Sequence, residues 1–265
     1  MLRWLTAGIS SPFKKNENAL LKQLDLNRMP YHIAVIMDGN GRWAMKRNMS
    51  RDLGHRAGIK SLRSTVEACG ELGIRILSIY AFSTENWKRP KEEVEMLMAL
   101  LAEYIYKELP QLLSAGVKIV PIGRISELPI ESQNALMEAV EKTKNNTKIT
   151  INIALNYGGR AEIIDAVKKV AAKVQAKELE PKDITEDILA SNLYTEGQPD
   201  PDLVIRPSGE QRISNFLIWQ SAYAEFYTTN VLWPDFGKKH LLEAIIAYQK
   251  RDRRFGGLNS GVRQC

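Results

Sequence analysis

The sequence predicts an α/β fold: a single domain with a central, mostly parallel sheet flanked by helices. Three observations carry this. Short apolar runs of strand length recur at residues 33–37, 75–82, 117–122, 148–156 and 202–206. Between them lie segments with apolar residues three and four apart, the spacing of helices with one buried face. The first strand, helix and strand close within about 45 residues, the size of a parallel crossover unit. At 265 residues the chain can bury a sizeable core as one large domain or two small ones. The one linker-like stretch, 178–183, is charged, contains Pro181 and is short enough to be internal.

The elements follow in order. Residues 1–28 carry Arg3, Trp4, Leu5, Ile9 and Phe13, then Lys14 and Lys15, without the continuous apolar core of a signal peptide; they are expected to be a loosely packed extension. The domain proper spans 29–258, and 259–265 is expected to be a mobile tail. The first strand ends at Asp38, and Gly39, Asn40, Gly41, Arg42 and Trp43 follow. The glycines let the backbone turn and approach a ligand closely. A helix starting at Asn40 or Gly41 points free N–H groups past the strand end, an anion site that Arg42 strengthens. Asp38 beside an anion is odd unless a divalent cation joins them, and one carboxylate plus phosphate oxygens is the usual setting of Mg²⁺. Read alone, the triplet is more commonly a turn or helix cap.

The helix at 55–72 buries Ile59, Leu62, Val66 and Cys69, and Gly70 and Gly73 end it. The polar loop 83–90 closes the second strand. Ligands of open parallel sheets gather outside the carboxyl ends of the strands, so Asp38 and residues 83–86 share one rim. The helix at 92–109 is apolar around most of its surface, with Val94, Leu97, Leu101 and Ile105 on one face and Met96, Met98, Leu100, Tyr104 and Tyr106 beyond it. Such a helix is core or subunit contact, or packs on the sheet with one face and lines something apolar with another. Helices follow at 131–145 and 161–176, then a brief one at 188–193 capped by Thr185. The strand 202–206 delivers a second polar loop. Segments 225–227 and 230–233 complete the sheet, and a helix at 237–251 ends the fold.

The formal charge is +6, and the basic residues most in need of a reason sit at the motif loops, not in one long run. That favours a small polyanion over nucleic acid, and no nucleic-acid-binding module is present. Cys69 and Cys265 are the only cysteines; there is no disulfide framework, and a reducing, cytoplasmic setting is expected. No run approaches the roughly 18 apolar residues of a membrane span. In the second loop Arg206 and Arg212, with Ser208, Gly209 and Ser214, form another candidate anion site, since a guanidinium matches phosphate oxygens bidentately. Taken alone these are two arginines in a turn; paired with the first loop they imply two diphosphate sites.

Residues 32–43 (HIAVIMDGNGRW) resemble the signature of the cis-prenyltransferases, the undecaprenyl diphosphate synthase family. Further blocks match in order: 51–58 (RDLGHRAG), 80–90 (YAFSTENWKRP), 156–160 (NYGGR), 201–216 (PDLVIRPSGEQRISNF), and 224–226 with Trp233, Pro234 and Phe236. The resemblance spans roughly residues 30–257. It implies a homodimeric, Mg²⁺-dependent enzyme that joins isopentenyl diphosphate to an allylic diphosphate and grows a Z-polyprenyl chain in an apolar tunnel between sheet and helices. It places the allylic diphosphate over Gly39, Gly41 and Arg42 with Arg51 and His55 nearby, and isopentenyl diphosphate on Arg206, Arg212 and Ser214. It makes Asp38 the principal metal ligand, joined by Glu225 across the dimer interface. Asn40, Ser83 and Asn86 become the groups that position the proton transfer. Arg89 joins the substrate contacts, and Trp43 and Trp87 are expected as apolar walls. Glu93 reads as a residue in water. Peripheral membrane contact follows from the product's hydrophobicity.

Three rivals fare worse. A trans-prenyltransferase needs Asp-rich helical motifs, and no Asp-Asp pair occurs. Residues 54–61 (GHRAGIKS) miss the phosphate-loop spacing of nucleotidases. A non-catalytic subunit of a two-component cis-prenyltransferase would lack the Asp-containing motif, yet Asp38, Asn40 and Arg42 are all present.

Overall fold

The computed structural model describes residues 12–251. Strands β1 (His32–Ile36), β2 (Ile76–Ser83), β3 (Val117–Ile122), β4 (Ile149–Tyr157), β5 (Leu203–Arg206) and β6 (Glu225–Thr228) form one sheet in the order β3-β4-β2-β1-β5-β6. All five pairings are parallel. Strand β1 is buried at every residue, which is why its sequence is a continuous apolar run and not an alternating one.

The helices are α1 (Pro12–Leu21), α2 (Asn40–Met45), α3 (Arg51–Glu71), α4 (Lys91–Ser114), α5 (Ile130–Thr143), α6 (Gly159–Gln175), α7 (Glu186–Ala190) and α8 (Lys238–Gln249). Helices α3, α4, α5 and α8 enclose the larger core, where Ile33, Leu77, Leu136 and Ile245 are fully buried. The opposite face is smaller and aromatic: Phe216 stacks on Tyr80 at 4.5 Å and meets Tyr157 edge-on. Among the described residues no helix is long and apolar enough to cross a membrane.

The structure departs from the sequence reading in four places. Helix α3 begins at Arg51, a turn early, because Ser50 is extended at its N-cap and Asp52 sits in the first turn. Helix α4 runs on through Pro110; that residue is exposed, so the carbonyl left without an N–H partner can turn to water. Residues 230–233 form no strand: Val231 and Thr229 accept from Ser208 and Gly209, and Trp233 donates to the Asp38 carbonyl at 3.0 Å. They brace the rim instead of extending the ladder. Finally, α1 packs on α8, and Gln249 trades hydrogen bonds with the Asp25 backbone at 3.0 and 2.7 Å. The extension is therefore anchored from residue 12 onward; its first eleven residues and the expected tail at 259–265 lie outside the described residues.

Candidate active site

The sheet reverses direction of growth at β1: the chain moves to β2 on one side and returns to β5 on the other. The crevice beyond the carboxyl ends of two such strands is where parallel sheets bind ligands. Here Asp38 follows β1 and Arg206 ends β5. Their side chains meet, with an Arg206 Nη2 to Asp38 Oδ2 distance of 2.8 Å, while Arg42 reaches the other carboxylate oxygen at 3.2 Å. Burial raises the Asp38 pKa, but the hydrogen bonds from Arg206 and Ser208 and the charges of Arg206 and Arg42 outweigh it, so the carboxyl is held below its ordinary value. Asp38 is thus an anion at any pH near neutrality.

The turn after Asp38 depends on glycine. Gly39 has φ 106°, and a Cβ there would lie 2.9 Å from Leu232 Cδ2. A Cβ on Gly58 of α3 would drive into the Asn40 side chain and lie 2.9 Å from Trp233, so α2 seats on α3 only because that position is bare. The Asn40 Oδ1 is buried there without a hydrogen-bond partner among the described residues, as is His55 Nε2. Burial, then the Arg89 charge, lowers the His55 pKa to about 4, so its ring is neutral at physiological pH.

The second loop is built differently. Ser208, Ser214, Asn215 and Leu217 all have positive φ, between 45° and 83°. Each makes a contact that glycine could not. Ser208 Oγ accepts from Arg42 at 2.7 Å, and Ser214 Oγ accepts from Arg206 at 2.7 Å. Asn215 accepts from the Arg160 N–H at 2.9 Å and donates to Glu85 at 2.9 Å. Leu217 is fully buried. Backbone strain of this kind gathers at functional sites.

Thirteen of the expected site residues surround one cavity: Asp38, Gly39, Asn40, Gly41, Arg42, Arg51, His55, Ser83, Asn86, Arg89, Arg206, Arg212 and Ser214. Its volume is about 2080 Å³, and it runs from this rim between the sheet, α3 and α4 to Val117, Lys148 and Ile149 at the opposite end of the strands. The nine residues of β4 alone span roughly 30 Å. Ala81 lies on its wall.

Three expected residues are elsewhere. Trp43 and Trp87 do not line the cavity. The Trp43 N–H donates to Asp235 at 2.7 Å under the Arg47 guanidinium, and the Trp87 N–H donates to Asn156 at 2.7 Å. Their indole N–H groups need partners, and these are outside the tunnel; the wall tryptophan is Trp233. Glu225 pairs in register with Leu203, itself level with Ile33, five residues or about 16 Å of strand before Asp38. Arg251 binds it at 2.5 Å. Within one chain it does not reach Asp38.

Two acidic residues were missed. Glu93 is not in water: its side chain is 11% exposed and gathers Arg89 at 3.0 Å, Arg51 at 3.5 Å and His55 at 3.9 Å. The i,i+4 spacing from Arg89 was the available signal. Glu210 bridges Arg42, at 3.2 Å, and Arg212. No local spacing announces it, because Arg42 is 168 residues away in the chain.

The family model described as "Putative undecaprenyl diphosphate synthase" matches residues 36–256. An isoprenyl transferase of Clostridium tetani is 56% identical over 236 residues, 89% of this chain and 92% of that protein. One from Heliobacterium mobile is 54% identical, covering 92% of this chain and 94% of its own length. Among solved structures, lavandulyl diphosphate synthase from Lavandula x intermedia, in complex with dimethylallyl diphosphate, superposes with a TM-score of 0.85 at 37% identity, covering 87% of this chain and 99% of its own. A probable undecaprenyl diphosphate synthase from Campylobacter jejuni gives a TM-score of 0.71 at 36% identity, covering 86% and 98%.

Proposed function

Because the chain belongs to the undecaprenyl diphosphate synthase family of prenyltransferases, we propose that it extends farnesyl diphosphate with isopentenyl diphosphate into undecaprenyl diphosphate, a lipid carrier for wall glycans. The observation that carries this reading is the cavity. At about 2080 Å³ it is about twice the largest ordinary small-molecule site, and an arginine-rich mouth opens into hydrocarbon walls. That shape suits a ligand with a polyanionic head and a long apolar tail.

The turn 39–42, with Arg51, His55 and Arg89 beside it, receives the allylic diphosphate; Arg206, Arg212 and Ser214 receive isopentenyl diphosphate. Glu93 aims Arg51 and Arg89, and Glu210 aims Arg42 and Arg212. The allylic carbon–oxygen bond breaks, that carbon bonds to the double bond of isopentenyl diphosphate, and a proton leaves to form the Z double bond. Asn40, Ser83 and Asn86 orient that proton; amides and a hydroxyl are too weakly basic to keep it, so a diphosphate oxygen takes it.

Among the described residues no three His, Cys, Asp or Glu side chains converge to cage a metal. A single ionised carboxylate with a quarter of its side chain exposed nevertheless fits Mg²⁺, which takes its other ligands from phosphates and water. Asp38 would hold the ion, which when bound neutralises charge on the departing diphosphate. In a homodimer a second copy would bring its Glu225 to this site. We place the enzyme in the cytoplasm, touching membrane through its product.

The test is product analysis. Protein incubated with farnesyl diphosphate, isopentenyl diphosphate and Mg²⁺ is expected to yield a Z-polyprenyl diphosphate of eleven isoprene units by mass spectrometry and NMR, and none with a chelator. A shorter product revises the chain length; no product from folded protein overturns the reading.

A further inference from the structure

One wall of the cavity is unlike the others. Ile59, Leu62 and Val66 of α3 and Leu97, Leu101 and Ile105 of α4 make it hydrocarbon. Yet Arg63, Glu67 and Glu71, four residues apart on α3, also border it, and Glu108 and Gln111 border it from α4. Charged groups sealed beside hydrocarbon would be costly, so this seam must keep access to water. The Arg63 side chain is indeed 44% exposed. Helices α3 and α4 make little backbone contact. What joins them are ion pairs: Arg51 to Glu93 at 3.5 Å beside the rim, Arg56 to Glu103 at 3.4 Å, and Arg63 to Glu108 farther along. One turn from these pairs Leu53 and Tyr106 are nearly half exposed, which sets apolar surface beside the seam.

We propose that the α3–α4 seam is the side exit of the finished polyprenyl chain toward a lipid surface, and that the Arg63–Glu108 pair is the rung that holds it shut. The inference rests on the reading of the cavity as a polyprenyl tunnel. Lengthwise withdrawal would drag the whole apolar chain past Asp38, Arg42, Arg206 and Arg212. Sideways release breaks only partly exposed ion pairs, which are weak in water. Arg63 lies eight residues, roughly 12 Å, along α3 from His55, and Glu108 fifteen residues, roughly 22 Å, along α4 from Glu93, so their loss acts on departure and not on condensation.

The experiment loads full-length enzyme with labelled product in a single turnover and follows transfer to phosphatidylcholine vesicles. E108Q and R63M are expected to release product about threefold faster than the unaltered enzyme while condensing at the same rate. Added salt should speed release from the unaltered enzyme more than from either variant, which keeps only the Arg56–Glu103 rung of this part of the seam. The reversed pair R63E/E108R should restore slow release, which a merely loosened fold would not. Unchanged release in folded E108Q and R63M overturns the proposal, and if those variants do not fold, E103Q applies the same test to the neighbouring rung. Absence of any polyprenyl product from the unaltered enzyme overturns instead the reading of the reaction, so the two failures are distinct.

Discussion

The turn after β1 and the loop after β5 aim polar groups at one rim, but their backbones differ. The first makes its sharp bend with Gly39 at φ 106°, where a side chain would strike Leu232. The second has one such glycine, Gly209 at φ 78°, but makes its other bends with Ser208, Ser214, Asn215 and Leu217 in the left-handed region. Glycine would adopt those angles more cheaply. It would also forfeit the hydroxyls that hold Arg42 and Arg206, the amide that ties the Arg160 backbone to Glu85, and a core side chain. One loop lowers strain by having no side chain; the other tolerates strain to keep four. The lesson is that a bend can be specified locally by composition or imposed by what its side chains grip.

The largest effect is expected where the two loops are joined. D38N removes the anion between Arg206 and Arg42, and kcat should fall about a thousandfold; near-normal turnover in steady-state assays would show that the loops work independently. The next test concerns the neighbour of the first turn. His55 is held neutral in the fold with a pKa of about 4 against an ordinary 6.5. Between those values the unfolded chain binds the proton and the folded chain does not, so stability is present above pH 6.5 and lost as pH falls toward 4. The loss reaches roughly 3 kcal/mol. Urea unfolding across that window should give a flatter profile for H55Q, with slope of the same sign still left by His32, also lowered to about 4 by burial, and by His240, lowered by burial as well.

The comparison itself is sharpened by substituting one residue in each loop. G39A should destabilise the fold by about 2 kcal/mol, since both its φ and the contact with Leu232 are wrong for a side chain. S214G should cost less stability than its counterpart. Relief of a left-handed serine offsets much of the lost hydrogen bond, so stability changes by only about 1 kcal/mol. The KM for isopentenyl diphosphate should nevertheless rise about tenfold as Arg206 loses its rest. If instead S214G costs as much stability as G39A, the strain argument for the second loop is wrong.

Much of this molecule is written in local pattern. Apolar runs identify β1 to β5; they are continuous in β1 and β5, which are buried throughout, and broken by Lys118 in the edge strand β3, where buried and partly exposed residues mix. The ordered blocks around Asp38, Ser83 and Arg206 place three polar loops at strand ends, and a parallel sheet puts all strand ends of one sense on one rim. Those features depend on neighbours a few residues apart, so the sequence by itself determines them. What it leaves open depends on partners far apart in the chain. Residues 230–233 read as a strand, yet their hydrogen bonds go to the loops at 208–209 and to Asp38. Trp43 and Trp87 read as walls, yet Asp235 and Asn156 hold them away, while Trp233 takes the wall. Glu93 reads as solvated charge and Glu210 carries no reading of its own, yet the packing of α4 against α3, and of one loop over the other, shows which arginines they hold. The position of Glu225 beside Leu203, and not at the Asp38 rim, is likewise set by register. Strand and turn identity is a local free-energy preference, whereas the partner of a side chain is chosen only when the sheet order brings distant segments together.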